Sequence, residues 1–193
     1  LVANNGICSD ILILNNSIEI GATIVPVFTS NINQICKNDT IIFMDLTPNS
    51  TDSWIWDFGD GTTSTLQNPT HVLSTSGNFD ISLTTSIQGE CIETKTMTNF
   101  IEVFDDPNII LISDENYSCD VPFIVQFEDN TLNATSWKWT FENGDSSIIQ
   151  NPIIAFDIFG KFDVELEVRD INGCTSVLTV FDYIMTDELV VDF

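Results

Sequence analysis

Residues 54–85 read WIWDFGDGTTSTLQNPTHVLSTSGNFDISLTT, and residues 137–168 read WKWTFENGDSSIIQNPIIAFDIFGKFDVELEV. The second stretch begins 83 residues after the first and aligns with it without a gap. Trp54, Trp56, Phe58, Gly61, Gln67, Asn68, Pro69, Gly77, Phe79, Asp80 and Leu83 fall on Trp137, Trp139, Phe141, Gly144, Gln150, Asn151, Pro152, Gly160, Phe162, Asp163 and Leu166. The same step of 83 residues separates Cys8, Cys91 and Cys174, and also Cys36 and Cys119. A fixed period of this kind marks a repeat architecture.

Within each copy the apolar residues alternate. Phe79, Ile81 and Leu83 interleave with Asn78, Asp80 and Ser82, and Phe162, Val164, Leu166 and Val168 interleave with Lys161, Asp163, Glu165 and Glu167. A period of two describes strands with one buried and one wet face. Trp54, Trp56 and Phe58 share one parity, as do Trp137, Trp139 and Phe141; these indoles read as core, not as a carbohydrate-binding face. The expected strands are 24–29, 40–46, 53–58, 71–73, 78–86 and 92–103, then 108–112, 123–128, 135–141, 154–156, 161–168 and 175–185. Gly and Asn turns at Phe58–Gly61, Ser76–Asn78 and Ile171–Gly173 punctuate them. The reading is all-β: tandem immunoglobulin-like antiparallel β-sandwiches.

The period divides the chain into residues 1–22 (the closing strand of a preceding repeat), 23–105, 106–187, and 188–193 (the start of a following one). Asp105-Asp106-Pro107-Asn108 is the linker between the two whole units, short and stiffened by proline. Each unit would lengthen a rod by about 30 Å if it were a compact globule of its size.

The formal charge is −24, from 29 acids and 5 bases, with 43% hydrophobic residues. Residues 25–106 hold 11 acids and 2 bases, and residues 107–188 hold 15 and 3, so the acidity belongs to the array and not to a tail. Phosphate binding needs clustered Lys and Arg, which excludes nucleic acid and disfavours anionic membrane surfaces. No apolar run approaches the roughly 20 residues that span a bilayer. The charge reads as a solubilising, self-repelling surface; a sharper reading has it gather cations or a basic partner.

Trp56-Asp57-Phe58-Gly59-Asp60-Gly61, Pro69-Thr70-His71 and Gly77-Asn78-Phe79 together resemble the hallmark of the polycystic kidney disease (PKD) domain, an immunoglobulin-like sandwich. The second copy departs from it, with Thr140-Phe141-Glu142-Asn143-Gly144 at the turn and Ile154 where His71 stands. The cysteine placement is similar to that of PKD-like repeats in long Bacteroidota surface proteins. That likeness implies type IX secretion and, for some members, gliding-motility adhesion.

Equal separations of 55 residues favour two disulfides within the units, Cys36–Cys91 and Cys119–Cys174, with Cys8 left unpaired. Loops of that length give roughly 4 kcal/mol each in the chain-entropy model. Structural disulfides imply an oxidising compartment and hence export to the extracellular space or cell surface. Zinc is disfavoured, because no C-x-x-C pair exists and His71, the single histidine, is remote in sequence from every cysteine.

One histidine leaves little for nucleophilic catalysis, and the chain reads as non-catalytic. Calcium is the one cofactor considered: Asp57 and Asp60 are read as turn residues, and Asp105 and Asp106 as a weak linker site. Asp39-Thr40-Ile41 fits a short O-glycosylation pattern, and Asn15, Asn38, Asn49, Asn116 and Asn133 head N-x-S/T sequons. The main expectation is a structural or adhesive stalk whose partners are neighbouring repeats, with glycan or protein ligands at its surface. The alternatives are a substrate- or carbohydrate-binding accessory module of a secreted hydrolase and an animal receptor ectodomain.

Overall fold

The protein is described by a computed structural model that covers residues 2–4, 9–11, 25–48, 51–87 and 90–188. Its strands are β1 (Val2–Asn4), β2 (Ser9–Ile11), β3 (Phe28–Ser30), β4 (Gln34–Cys36), β5 (Thr40–Asp45), β6 (Ser53–Asp57), β7 (Thr63–Ser64), β8 (Thr70–Val72), β9 (Gly77–Ile87) and β10 (Glu90–Phe104). They continue with β11 (Leu111–Ser113), β12 (Tyr117–Ser118), β13 (Phe123–Asp129), β14 (Ala134–Phe141), β15 (Ser146–Ser147), β16 (Ile153–Phe156), β17 (Gly160–Asp170) and β18 (Thr175–Thr186). No helix occurs among the described residues, and none is therefore long and apolar enough to cross a membrane.

Two sandwiches share one plan. The first sets the sheet β4-β10-β9-β6-β7 against β3-β5-β8, and the second sets β12-β18-β17-β14-β15 against β11-β13-β16. The pairings are antiparallel except at one edge of each unit. There β4 runs parallel to β10, and β12 runs parallel to β18. β4 and β12 are two or three residues long, too short to show a period, and so were missed; β7 and β15 escaped for the same reason.

Each core is closed by a tryptophan whose neighbours alternate as read from the sequence. Trp56 and Trp139 are fully buried, while Trp54 and Trp137 are partly buried against the same cores. Phe43 lies 5.5 Å from Trp56, and Phe127 lies 5.6 Å from Trp139, ring centre to ring centre. A buried indole N–H needs an acceptor. Trp56 Nε1 donates to the Leu66 carbonyl and Trp139 Nε1 to that of Ile149, each at 3.0 Å. The buried prolines finish the frame: Phe43 N–H donates to Pro69 O and Phe127 N–H to Pro152 O, both at 2.9 Å.

A kink in the longest strand also repeats. Asn99 and Asp182 both adopt φ of 50°, at the register shifts of β10 on β9 and β18 on β17. Their N–H groups donate to the carboxylates of Asp80 and Asp163, each at 2.7 Å. The aspartate shared by both copies on the wet face of the alternating strand is therefore the clamp of a β-bulge.

Replacing Trp139 by alanine removes a fully buried side chain and should cost about 3–5 kcal/mol. The two cores are separate clusters, so the loss should stay local. Hydrogen exchange should accelerate in β13–β18 while β5, β6 and β9 keep their protection.

Candidate functional site

The features most specific to this chain converge where one sandwich meets the other. Register places Phe104, the last residue of β10, opposite Cys36, the last residue of β4. Lys37 N–H donates to Phe104 O at 3.1 Å, and Asn38 N–H to Leu73 O at 3.0 Å. Cys36 is thus held at the exit of the first sandwich. At the entry of the second, the β17–β18 hairpin turns through Asp170–Cys174. Asp170 Oδ1 accepts the N–H groups of Asn172 and Cys174, both at 2.9 Å. Asp170 N–H donates to the Cys174 carbonyl at 2.9 Å.

Cys36 and Cys174 are bonded, with S–S 2.04 Å and Cα–Cα 5.5 Å. This corrects the pairing expected from equal separations. The bridge runs between the sandwiches, and Cys119 is a free, partly exposed thiol. The side chain of Cys91 and the whole of Cys8 lie outside the described residues. A formed disulfide is consistent with an oxidising, extracellular compartment.

The linker runs beside the bridge. Asp105 Oδ1 pairs with Lys37 Nζ at 3.0 Å, and its Oδ2 accepts from Ser76 Oγ at 2.7 Å. The Ser76 hydrogen bond, followed by that from Lys37, holds Asp105 below the usual carboxylate range. The same contact with Asp105 raises the Lys37 ammonium. An ammonium on one oxygen and a hydroxyl on the other leave Asp105 a poor cation ligand. Among the described residues no cluster of three or more His, Cys, Asp or Glu could hold a metal. Asp105 and Asp106 are the weak linker pair named from the sequence, and Asp105 has both oxygens engaged. Both border a crevice of about 490 Å³ lined also by Pro107, Ile110, Leu132, Asn133 and Asp170.

The hallmark turn lies elsewhere in the first sandwich and is structural. Asp57 Oδ1 accepts Gly59 N–H at 2.9 Å, and Asp60 Oδ1 accepts Thr62 N–H at 2.9 Å. Gly59 has φ of 76°, and a Cβ there would lie 2.6 Å from the Asp80 carbonyl oxygen; Gly61 follows with φ of 89°. His71 stacks on Phe58 with centroids 4.0 Å apart and an 8° tilt, and its Nε2 meets Asp60 Oδ2 at 2.7 Å. The imidazole ties β8 to the turn. Burial raises the Asp60 pKa, but the bonds from Thr62 and His71 outweigh it and leave it lowered. In the second sandwich Asn143 makes the same tie with an amide, donating to Ala155 O of β16 at 3.1 Å. Glu142 replaces Gly59 and instead exchanges bonds with Asp163, N–H to O at 3.1 Å and Oε2 from N–H at 3.0 Å. Pro69 and Phe79 are buried, and Gly77 opens β9 with φ of 137°.

Sequence reasoning missed a polar centre repeated in both sandwiches, half-buried at Asp45 and buried at Asp129. Trp54 Nε1 donates to Asp45 Oδ2 at 2.8 Å, and Trp137 Nε1 to Asp129 Oδ2 at 2.7 Å. Thr47 and Thr131 each donate both N–H and hydroxyl to the other oxygen. Asp45 and Asp129 are 84 residues apart, one more than the period, so a gap-free comparison pairs Asp45 with Glu128 and hides the match. Thr40, Asn38, Asn116 and Asn133 are exposed, while Asn15 and Asn49 lie outside the described residues.

Residues 25–103 match the family model of the PKD domain, which identifies a PKD domain in the first sandwich. The pre-pro-metalloprotease PrtV of Vibrio cholerae serotype O1 is 28% identical over 131 residues, 66% of this chain. The matched region is 14% of that protein, so the chain spans a small part of the curated relatives it matches. The crystal structure of the PKD1 domain from Vibrio cholerae PrtV is similar at 24% identity and a TM-score of 0.36, covering 42% of this chain and 96% of that one. A 1.5-MDa bacterial ice-binding adhesin is similar at 10% identity and a TM-score of 0.44, covering 84% of this chain and 65% of that one. A PKD domain of this kind is consistent with an accessory or structural module.

A carboxylate with a lowered folded pKa stabilises the fold above its unfolded value, and that contribution is lost as pH falls through the folded value. Asp60 should therefore contribute fully above about pH 4 and progressively less below it. Asp60→Asn should cost about 1–2 kcal/mol at pH 6. Urea midpoints measured from pH 7 to pH 3 should show the gap to wild type narrowing at the acid end.

Proposed function

We propose that this chain is a non-catalytic stalk segment of a long, repetitive extracellular protein, spacing an adhesive or otherwise functional tip from a cell. The observation that carries this reading is the axial layout of the second sandwich. Cys174 precedes the first residue of β18, and Asp187 follows its last, after 12 residues. At about 3.4 Å per residue this puts the two ends about 40 Å apart, so successive junctions fall at opposite poles. That length exceeds the about 30 Å of a globular unit because the strands run along the stalk. A linker of four residues, a bridge beside it and a uniformly acidic surface suit a spacer better than a hinge. Display by a Bacteroidota-type export route, and a place among gliding adhesins, belong to this proposal.

The 28% identity with a pre-pro-metalloprotease favours one second reading, an accessory module that holds substrate for a secreted hydrolase. Small-angle scattering and ligand capture separate the two. A stalk should give a radius of gyration of about 23 Å, against about 16 Å for a compact chain of this length. It should also leave immobilised polysaccharide and denatured protein unbound. A compact particle would sink the stalk reading, and retention on either matrix would move the assignment to the accessory module.

A further inference from the structure

The bridge between the sandwiches has a second, open seat. In the first sandwich β4 lies parallel to β10 with Gln34 opposite Glu102, Ile35 opposite Val103 and Cys36 opposite Phe104. In the second, β12 lies parallel to β18 with Tyr117 opposite Met185 and Ser118 opposite Thr186. Each residue is displaced by 83 from its counterpart, so the next step along the pair sets Cys119 beside Asp187 as Cys36 sits beside Phe104. Cys119 therefore occupies the Cys36 seat, at the pole of its sandwich opposite Cys174. It is a free thiol and partly exposed, with Sγ 3.5 Å from the Tyr117 hydroxyl. In the first sandwich the same seat is filled by a bond to the hairpin-turn cysteine of the next unit, 138 residues on.

We propose that Cys119 is the outgoing half of a second bridge of this kind, formed with the hairpin-turn cysteine of a like sandwich. One disulfide then closes at every junction, always between the exit of one unit and the entry hairpin of the next. Each unit carries one outgoing and one incoming cysteine; within this chain Cys91 is the incoming one by its place in the repeat. The inference rests on reading the chain as consecutive repeats of one unit. Each bridge forms from two thiols and one molecule of a disulfide oxidant such as glutathione disulfide. Cys119 thiolate attacks a mixed disulfide on its partner, and two molecules of reduced glutathione leave with the two electrons and two protons.

A second copy of the chain serves as the like sandwich. In a Cys8→Ser background, Cys91→Ser and Cys119→Ser chains are mixed in glutathione redox buffer and analysed by non-reducing electrophoresis and peptide mass mapping. The mixture should give a dimer whose cross-linked peptide joins Cys119 to Cys91, while each variant alone stays monomeric with Cys36–Cys174 intact. Bridges Cys36–Cys91 or Cys119–Cys174 within one chain, a Cys119–Cys119 dimer, or Cys119 still fully alkylatable in the mixture would each overturn the proposal. The scattering radius is measured on the unmixed wild-type monomer, so Cys119 left alkylatable, or a Cys119–Cys119 dimer in the mixture, overturns the second bridge and leaves the stalk reading standing.

Discussion

The parallel pairing of β4 with the end of β10 is the contact on which the junction depends. Hairpins alone would leave the exit of the first sandwich as a single strand running into a linker, free to swivel about Pro107. By laying Cys36 beside Phe104, the short edge strand supplies a second attachment point next to the first. A peptide and a disulfide then connect the same two bodies. Two neighbouring tethers remove most of the rotations that one short tether allows, and Lys37 and Ser76 hold Asp105, the first linker residue, against the first sandwich. In the second sandwich the carboxylate of Asp170 presets the hairpin that receives the bond.

The same geometry shows how far the sequence could be read. Alternation along 78–86 and 161–168 identified the central strands, because half-buried strands must alternate whatever their neighbours. The parity of Trp56 and Trp139 identified the cores for the same reason. The disulfide could not be read that way. In an array of period 83, a separation of 55 within a unit and one of 138 across a junction place cysteines at the same points of the repeat. Spacing cannot distinguish them; only the poles at which Cys36 and Cys174 sit can. The Trp–Asp centres were hidden by a compensated shift, one residue gained before Asp129 and lost before Trp137. The hallmark turn was legible in Asp57, Gly59 and Asp60, whereas the substitute for the His71 tie, Asn143 to a backbone carbonyl, has no side-chain signature.

The charge of −24 acts over a shorter range than the units it covers. At physiological ionic strength screening is effective beyond about 8 Å, well under the length of β18, which is about 40 Å at about 3.4 Å per residue. Repulsion therefore cannot straighten the chain from a distance. It discourages lateral contact between faces, including the exposed strand edges that would otherwise invite pairing. The angle between the two sandwiches is set at their junction, which is where the covalent bridge lies.

The bridge also redirects tension. Pulled from residue 25 toward residue 188, a chain without it would load every strand in turn, and unfolding either sandwich would lengthen it. With Cys36 bonded to Cys174, tension passes from β4 directly into β18, and the 138 residues of separation between them lie off the loaded path. At about 3.5 Å per residue, roughly 480 Å of contour is withheld. β4 and β18 are themselves anchored by strand pairings whose hydrogen bonds lie across the direction of pull. Such ladders are sheared all together and not unzipped one bond at a time. The cores are then free to be small, because the covalent path, and not their stability, limits how far the segment can extend.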